Sequence, residues 1–342
     1  MTTPTTPEQS SPEQSPREQS RPALPTPDDV RAARGRIAGL AHRTPLTTAH
    51  SVGALVQPPV DLYLKEEQRQ KTGSFKARGV LNRVATLDEV RRGRGLVTVS
   101  AGNHAAAVSW AAAARGIPAT VFMRMGAATN KVAATRAYGA TVDLEAKDNT
   151  EAFDRAHAAE RERGLTFVHP FDDPMVIAGT ATVGAEILED LPEPDLVVVP
   201  VGGGGLISGV ALAIKETRPA TRVVGVEPVG APTVTQALAA GRPVTLGPPD
   251  TIADGLAAPF TGAHNLAAIQ RYVDEVVLVT DDEIRHAMRL LLERAKLLAE
   301  PAGAAALAAL LAGKVSVTAG QRVVVVVSGG NMDVTKLGEM LR

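Results

Sequence analysis

From about Pro27 onward, short apolar runs alternate with longer stretches of helical periodicity. Several runs are almost continuous in valine, as in DLVVVP (195–200), which is typical of strands buried on both faces of a sheet. Strands of this kind that alternate with helices predict parallel sheets covered by helices on both sides. The predicted strands are 95–100, 119–123, 140–145, 195–200, 221–227, 273–280 and 322–330.

The predicted strands fall into two groups, one between residues 95 and 145 and one after Asp195. We therefore expect an α/β fold with two doubly wound parallel-sheet domains. The expected boundaries are a discontinuous large domain of residues 30–85 and 174–342, and a small domain of residues 86–173.

Composition narrows the class of protein without identifying it. The 342 residues are 44% hydrophobic and include no cysteine, which excludes disulfides, thiolate nucleophiles and Cys-based metal centres. The net charge of −1 favours neither a nucleic-acid partner nor a membrane, and no apolar run is long enough to span a bilayer. Residues 1–29 are a Pro/Ser/Thr/Gln/Glu mixture without a secretory signal, so we expect a disordered tail on a cytoplasmic protein.

Ligands of open parallel sheets bind beyond the carboxyl ends of the strands, so the loops that follow the strands are the first candidates for a site. PVGGGGLISG (200–209) joins a Val-rich strand to a helix, and its glycines at 202–205 let the backbone approach a ligand closely. The helix start then offers amides to an anion. A dinucleotide site is less favoured, because Ile207 and Ser208 stand where a G-x-G-x-x-G pattern requires its last glycine.

Two further loops carry polar side chains at strand ends. SAGNHAAAV (100–108) places Ser100, Asn103 and His104 at the start of a helix, where their side chains and the free amides suit a carboxylate. His104 by itself is better explained as an incidental histidine beside a Ser/Asn cap than as a catalytic residue. Ser328 ends the buried strand of VVVVVSGGNMD, and a hydroxyl there can hydrogen-bond a heteroaromatic nitrogen without protonating it.

KTGSFKARG (71–79) contains a lysine in an unfavourable place. Lys76 follows Phe75 and a Thr-Gly-Ser turn at the predicted start of a helix, where the helix dipole opposes a cation. A lysine that works as a nucleophile gains from a lowered pKa at such a position. A lysine with a neighbouring aromatic ring, an amide-lined anion loop and a carboxylate loop together predict pyridoxal 5′-phosphate (PLP) chemistry on an amino acid.

With these motifs in order along the chain, the sequence resembles the fold-type II PLP enzymes of the threonine/serine dehydratase and serine racemase family. The resemblance implies a fold like that of tryptophan synthase β, a small amino-acid substrate and a homodimer or homotetramer. It covers nearly everything from about residue 30 to 342. The stretches that carry it are KTGSFKARG, SAGNHA, HPFDDPMVIAG, VPVGGGGLISG, VGVEP, TIADGLA, LLAEPAGAA and SGGNMD.

The resemblance implies a role for each matching residue. Lys76 would form the Schiff base with the cofactor and remove the Cα proton of the substrate. Phe75 would lie beside the cofactor ring, and Ser328 would face its pyridine nitrogen. Asn103 would hydrogen-bond the 3′-oxygen of the ring and, with Ser100 and His104, surround the substrate carboxylate. The phosphate would be held by Gly202, Gly203, Gly204 and Gly205.

Three details favour a dehydratase within this family. Ala101 stands where serine racemases carry a second serine, the base on the opposite face of Cα, so elimination is favoured over racemisation. The Gly-Asn-His and Phe-Lys-Ala-Arg sequences argue against cysteine synthase and threonine synthase relatives. The chain stops soon after SGGNMD, as in short catabolic threonine dehydratases. We therefore expect an ammonia-lyase that converts L-threonine, L-serine or both to a 2-oxo acid and ammonia.

Some positions depart from the family pattern. Thr180 and Ala181 replace a Gln-Gly pair, which would alter a loop on the cofactor side, and Ala106 replaces a frequent glutamine. The resemblance places a cation site at Glu227. Thr233 stands where a second acid is expected, which argues against a divalent ion there.

Two alternatives stay open. One is a family member that acts on another 3-hydroxy amino acid, such as 3-hydroxyaspartate or an osmolyte-derived intermediate, or that racemises serine. The other is a non-catalytic PLP-binding or nucleotide-sensing protein, against which the intact Lys76 argues. Formation of a 2-oxo acid from threonine, serine or 3-hydroxyaspartate distinguishes a dehydratase from the non-catalytic protein.

Overall fold

The computed structural model describes residues 22–127 and 129–341, and within them two mainly parallel sheets are covered by helices. The strands are β1 (Leu46–Thr48), β2 (Asp61–Glu66), β3 (Leu96–Val99), β4 (Ala119–Arg124), β5 (Thr141–Ala146), β6 (Thr166–Phe167), β7 (Leu196–Pro200), β8 (Arg222–Pro228), β9 (Glu275–Val279) and β10 (Arg322–Val327).

The helices alternate with the strands along most of the chain, as the sequence pattern predicts. They are α1 (Pro27–Ile37), α2 (His50–Gly53), α3 (Lys76–Ala85), α4 (Glu89–Arg94), α5 (Asn103–Ala113), α6 (Thr129–Ala137), α7 (Asn149–Arg163), α8 (Pro174–Asp190), α9 (Gly205–Thr217), α10 (Thr233–Ala240), α11 (Ala263–Tyr272), α12 (Asp281–Leu290), α13 (Pro301–Leu311) and α14 (Leu337–Met340). No helix of the described residues is both long and apolar enough to cross a membrane.

The larger sheet has six strands in the order β1-β2-β10-β7-β8-β9. Its neighbouring strands are parallel except for β1, which pairs antiparallel with β2. The valine runs form its centre, and alternate valines face opposite cores because side chains alternate along a strand. Val325 packs in the core that contains α13, whereas Val324 packs in the core that contains α8 and α9. Continuous valine is thus explained by burial on both faces.

The smaller sheet has four parallel strands in the order β5-β4-β3-β6. Its strands come from residues 96–167, whereas those of the larger sheet come from residues 46–66 and 196–327. The two groups of strands expected from the sequence therefore form two sheets. The domain boundaries at residues 85/86 and 173/174 stay a prediction.

The predicted disordered tail, residues 1–29, overlaps the first helix of the structure. Most of it, residues 1–21, lies outside the described residues, but α1 already begins at Pro27. The Thr26 side chain accepts a hydrogen bond from the Asp29 N–H at 3.2 Å, and the Asp29 carboxylate accepts one from the Thr26 N–H at 2.9 Å. This reciprocal capping box starts a helix despite the polar composition.

Candidate active site

Lys76 is the first residue of α3 and points at the segment that follows β6. Its Nζ donates a hydrogen bond to the carbonyl oxygen of Pro170 at 2.6 Å and lies 5.1 Å from the centroid of the Phe75 ring. The Phe75 N–H in turn donates to the carbonyl oxygen of Ser328 at 3.1 Å. The lysine, the aromatic ring and the end of β10 are therefore neighbours.

The turn before Lys76 is fixed to the end of β10. Ser74 forms an isolated antiparallel bridge with Gly329. Thr72 has a φ of +59°, a left-handed conformation that is uncommon outside glycine. The hydroxyls of Thr72 and Ser74 are buried and have no hydrogen-bond partner among the described residues. Buried polar atoms are rarely left unpaired, so this turn has the character of a ligand site.

Burial lowers the pKa of Lys76 from its ordinary 10.5 to about 8. The cause is the loss of water around the ammonium, which disfavours the charged form. The sequence argument expected a lowered pKa from the helix dipole, whereas the structure attributes it to burial. Near pH 8 a large share of Lys76 is neutral, and a neutral amine is what a nucleophile or proton acceptor requires.

The glycine loop joins β7 to α9 and presents free amides. The N–H groups of Gly202, Gly203 and Gly204 donate to no acceptor among the described residues. Gly205 is the first residue of α9, where the N–H has no partner within the helix. Gly204 has a φ of +95°, which favours glycine. The loop is therefore a candidate site for an anion such as a phosphate.

Side chains outside the loop hold its carbonyl groups. The Gly203 oxygen accepts hydrogen bonds from Asn265 Nδ2 at 2.9 Å and from Thr261 Oγ1 at 3.1 Å. The Phe171 ring leaves no room for a side chain, because a Cβ added to Gly203 would lie 2.5 Å from it. The carbonyl side of the loop is thus occupied, and its amide side remains for a ligand.

Thr180, which departs from the family pattern, also contacts this loop. Its hydroxyl lies 2.8 Å from the carbonyl oxygen of Gly205 and 2.9 Å from that of Ile177. A Cβ at Gly209 would lie 2.3 Å from the same hydroxyl, so α8 and α9 pack very closely here. The departure at Thr180 therefore places a side chain that supports the start of α9.

Ser100 and Asn103 lie between the end of β3 and the start of α5. The Ser100 hydroxyl accepts a hydrogen bond from the Gly102 N–H at 3.1 Å. Asn103 reaches across to the segments around the larger sheet. Its Nδ2 donates to Glu300 Oε1 at 2.6 Å, and its Oδ1 accepts from Asn331 Nδ2 at 2.9 Å.

His104 is buried behind Asn103 and is electrically neutral. Its Nε2 lies 3.0 Å from both the carbonyl oxygen of Val168 and the hydroxyl of Thr98. Burial, followed by the charge of Lys76, lowers the pKa of His104 to about 3. Because a carbonyl only accepts, the proton sits on Nε2, and Nδ1 is a buried acceptor without a partner among the described residues.

Ser328 lies directly after β10 and is buried. Its hydroxyl makes one long hydrogen bond, at 3.4 Å, to the carbonyl oxygen of Ala302 in α13. The hydroxyl is weakly held and lies on the same segment that supports Phe75. The position expected to face a ring nitrogen is therefore a neutral side chain, not a carboxylate.

Glu300 and Asn331 are candidates to which the sequence analysis gave no role. Glu300 is 8% exposed and immediately precedes α13. Burial raises the pKa of Glu300 to about 7, although its hydrogen bond with Asn103 opposes this change. The signal that could have identified Glu300 is a single carboxylate in the apolar stretch LLAEPAGAA, since acids are rarely buried without a partner.

Glu227, the predicted cation ligand, accepts hydrogen bonds at the start of α10. Its two oxygens bind the N–H groups of Val234 at 2.7 Å and Thr235 at 2.9 Å, together with the Thr235 hydroxyl at 2.7 Å. Burial raises the pKa of Glu227 despite these bonds. The geometry is that of a helix-capping carboxylate, and the cation site stays a prediction.

These residues fit pyridoxal phosphate. Free amides at the start of α9 suit its phosphate, the amine of Lys76 suits its aldehyde, and the Ser328 hydroxyl suits its ring nitrogen. The unpaired atoms at Thr72, Ser74 and His104 are what a pocket for a polar ligand shows without that ligand.

A family model described as pyridoxal-phosphate dependent enzyme matches residues 37–329. The chain belongs to this family. Pyridoxal phosphate is therefore the cofactor of this enzyme, and the family predicted from the sequence is confirmed.

Individual relatives agree with the family assignment. The PLP enzyme is 44% identical over 316 residues to L-threonine ammonia-lyase of Thermotoga maritima, which covers 92% of this chain and 78% of the relative. It is 45% identical over 276 residues to phenylserine dehydratase of Ralstonia pickettii, covering 81% and 84%. The solved structure of maize serine racemase is similar with a TM-score of 0.88 and 39% identity, covering 93% of this chain and 97% of that one. The predicted fold class is confirmed.

Proposed function

We propose that this PLP enzyme is an ammonia-lyase that converts L-threonine, L-serine or both to the corresponding 2-oxo acid and ammonia. The observation that carries the proposal is Lys76, whose pKa is lowered to about 8 and which lies between the segment after β6 and the end of β10. The similarity to L-threonine ammonia-lyase at 44% identity supports the same activity.

When bound, pyridoxal phosphate supplies an aldehyde that links to amines and a ring that withdraws electrons from Cα of the substrate. Lys76 Nζ is assigned two tasks, holding the aldehyde before substrate arrives and then accepting the Cα proton. Burial favours both, because it keeps a large share of the amine neutral near pH 8. The carbonyl of Pro170 orients the same nitrogen through its hydrogen bond.

The other chain residues bind and orient. The amides of residues 202–205 would hold the phosphate, and Phe75 would lie beside the ring. Ser328 would meet the ring nitrogen with a neutral hydroxyl, which would not protonate that nitrogen as a carboxylic acid would. Asn103 at the start of α5 would hydrogen-bond the 3′-oxygen of the ring and, with Ser100, face the substrate carboxylate.

Ala101 supports elimination over racemisation. Racemisation requires a group that returns a proton to the opposite face of Cα, and a methyl group cannot carry one. His104 does not replace it, because its pKa of about 3 keeps the ring neutral with its proton bound toward Val168.

An aromatic 3-hydroxy amino acid is a second candidate substrate. The similarity to phenylserine dehydratase favours it. So do three rings around Pro170: His169 packs edge-on against Phe171 with centroids 4.7 Å apart, and Phe171 packs against Phe260 at 5.4 Å. Two of these rings flank Pro170, whose carbonyl oxygen accepts from Lys76 Nζ, and aromatic rings near the site suit a phenyl side chain.

The test uses purified holoenzyme incubated separately with L-threonine, L-serine, L-threo-phenylserine and 3-hydroxyaspartate. Formation of 2-oxo acid and ammonia is followed, and serine is analysed for its D-isomer. We expect 2-oxo acid from threonine or serine and no D-serine, with all turnover lost in Lys76→Ala. Turnover of phenylserine alone would favour the second candidate. If none of the four yields a 2-oxo acid, the ammonia-lyase assignment is wrong.

We also propose a homodimer or homotetramer that works in the cytoplasm, as the family resemblance implies. Light scattering during size exclusion would give the mass of the assembly. A mass equal to that of one chain of 35.6 kDa would contradict the oligomer.

A further inference from the structure

Asn103 is held between two side chains that belong to distant parts of the sequence. Glu300 lies 197 residues away and accepts from Asn103 Nδ2 at 2.6 Å. Asn331 lies 228 residues away and donates to Asn103 Oδ1 at 2.9 Å. Neither contact is needed to form α5, which begins at Asn103. The two contacts therefore hold the side-chain amide of Asn103 and are not part of the helix itself.

The polarity of this chain of hydrogen bonds determines which way the amide faces. Asn331 Nδ2 donates to both the Thr72 carbonyl oxygen, at 2.6 Å, and Asn103 Oδ1, so its two protons are used. An ionised Glu300 can only accept, so it requires the NH₂ group of Asn103 on its side. With both ends fixed, rotation of the Asn103 amide by 180° would break two hydrogen bonds.

We propose that Glu300, with Asn331, is a positioning residue that fixes the side-chain amide of Asn103 and leaves its second N–H available to pyridoxal phosphate. This rests on the proposed contact between Asn103 and the cofactor. One N–H of Asn103 is used by Glu300, and the other has no acceptor among the described residues. Glu300 therefore acts on the cofactor through Asn103 without touching it.

The proposal makes cofactor binding depend on the ionisation of Glu300. A protonated carboxyl can donate as well as accept, so it no longer selects one orientation of the amide. The charged groups that face Glu300 are Lys131 of α6, which lowers its pKa, and Asp254, which raises it. These two lie 3.5 Å apart and act in opposite directions, and burial is the dominant cause of the raised pKa of Glu300.

The test measures binding of pyridoxal phosphate to cofactor-free protein between pH 6 and pH 8.5. The single tryptophan, Trp110, lies on α5 and provides the fluorescence signal, with the absorbance of the bound cofactor as a second readout. We expect Glu300→Ala to weaken binding about tenfold at pH 8.5, as loss of a charge-assisted hydrogen bond would. Glu300→Gln should match the wild type at pH 6 and be about fivefold weaker at pH 8.5.

Matched variants separate positioning from folding. Glu216→Gln is the control, because Glu216 accepts a hydrogen bond from the Tyr272 hydroxyl at the far end of α9 and should leave binding unchanged at every pH. Asn331→Ala should reproduce part of the loss seen in Glu300→Ala. Thermal unfolding of each cofactor-free variant excludes a change caused by misfolding.

Asn103→Ala distinguishes failure of this inference from failure of the proposed site. If Asn103→Ala weakens binding and Glu300→Ala does not, the positioning role is wrong while the contact of Asn103 with the cofactor stands. If Asn103→Ala has no effect either, that contact is wrong too. A constant ratio between wild type and Glu300→Gln from pH 6 to pH 8.5 would also overturn the role of Glu300 ionisation.

Discussion

Replacing Lys76 by methionine should stabilise the cofactor-free protein. Below pH 8 the wild type keeps a charged ammonium in a buried position, and methionine has a similar length without the charge. A fall in pKa from 10.5 to about 8 corresponds to roughly 3 kcal/mol at about 1.4 kcal/mol per pKa unit. Because Lys76 is partly exposed as a residue, solvent screening reduces the expected gain to about 2 kcal/mol at pH 7.

The test is the pH dependence of the difference in stability between the wild type and Lys76→Met. The folded state releases its Lys76 proton near pH 8 and the unfolded state near 10.5, so the unfolded state binds more protons between these values. Stability of the wild type therefore rises with pH across this range relative to Lys76→Met. The difference in free energy of unfolding should be largest at pH 7 and fall to about a quarter of that value by pH 10.

Urea unfolding of both cofactor-free proteins at pH 7, 8.5 and 10, followed by circular dichroism, measures this difference. Titrations of other groups cancel because they are common to both proteins. Lys147→Met, at an exposed lysine, serves as the control and should show no such trend. A difference that is the same at pH 7 and pH 10, or a methionine variant less stable at pH 7, would refute burial as the cause of the lowered pKa.

Three further substitutions test the packing around the site. Arg78→Ala removes the cation that binds the buried Glu67 at 2.8 Å, whereas Glu186, which Arg78 binds at 2.7 Å, keeps its ion pair with Lys65 at 2.6 Å. Because Glu67 is left with an uncompensated buried charge, urea unfolding should show a loss of about 3–5 kcal/mol, against under 1 kcal/mol for the exposed Arg91→Ala. Gly203→Ala places a methyl group against the Phe171 ring and should weaken binding of pyridoxal phosphate at least tenfold, which corresponds to roughly 1.4 kcal/mol. Gly93→Ala should leave binding unchanged, because a Cβ at Gly93 would have no heavy atom within 4 Å. Thr180→Val removes the hydroxyl bound to Gly205 and should cost about 1 kcal/mol of unfolding free energy; an unchanged urea midpoint would show that this bond contributes nothing.

The parts of the fold that could be read from the sequence are those set by local pattern. The valine runs of β7 and β10 predicted buried parallel strands because each strand is covered on both faces. The glycine loop and Lys76 could be located because ligands lie beyond the carboxyl ends of such strands. The predicted tail of residues 1–29 extends over the first residues of α1, because its polar composition outweighed the capping box at Thr26.

The remainder of the site depends on contacts that no local pattern encodes. Glu300 and Asn103 lie at the starts of two different helices, and the sequence gives no reason to pair them across 197 residues. The pKa of Lys76 was expected to fall, but its cause, burial, is a property of the folded surroundings and not of the helix start. Phe171 belongs to the HPFDDPMVIAG motif, but the sequence does not show that its ring excludes side chains from the glycine loop, because that depends on packing in the folded protein.

The geometry of the glycine loop also determines which ions the loop can bind. A run of glycines can expose either its amides or its carbonyl oxygens, and the second arrangement would attract metal cations. Here the Gly203 oxygen is already held by Asn265 and Thr261. The loop therefore favours anions over cations even before the cofactor binds. The Gly203 oxygen already accepts two hydrogen bonds and is a poor ligand for a metal cation, whereas the free amides of the loop suit an anion.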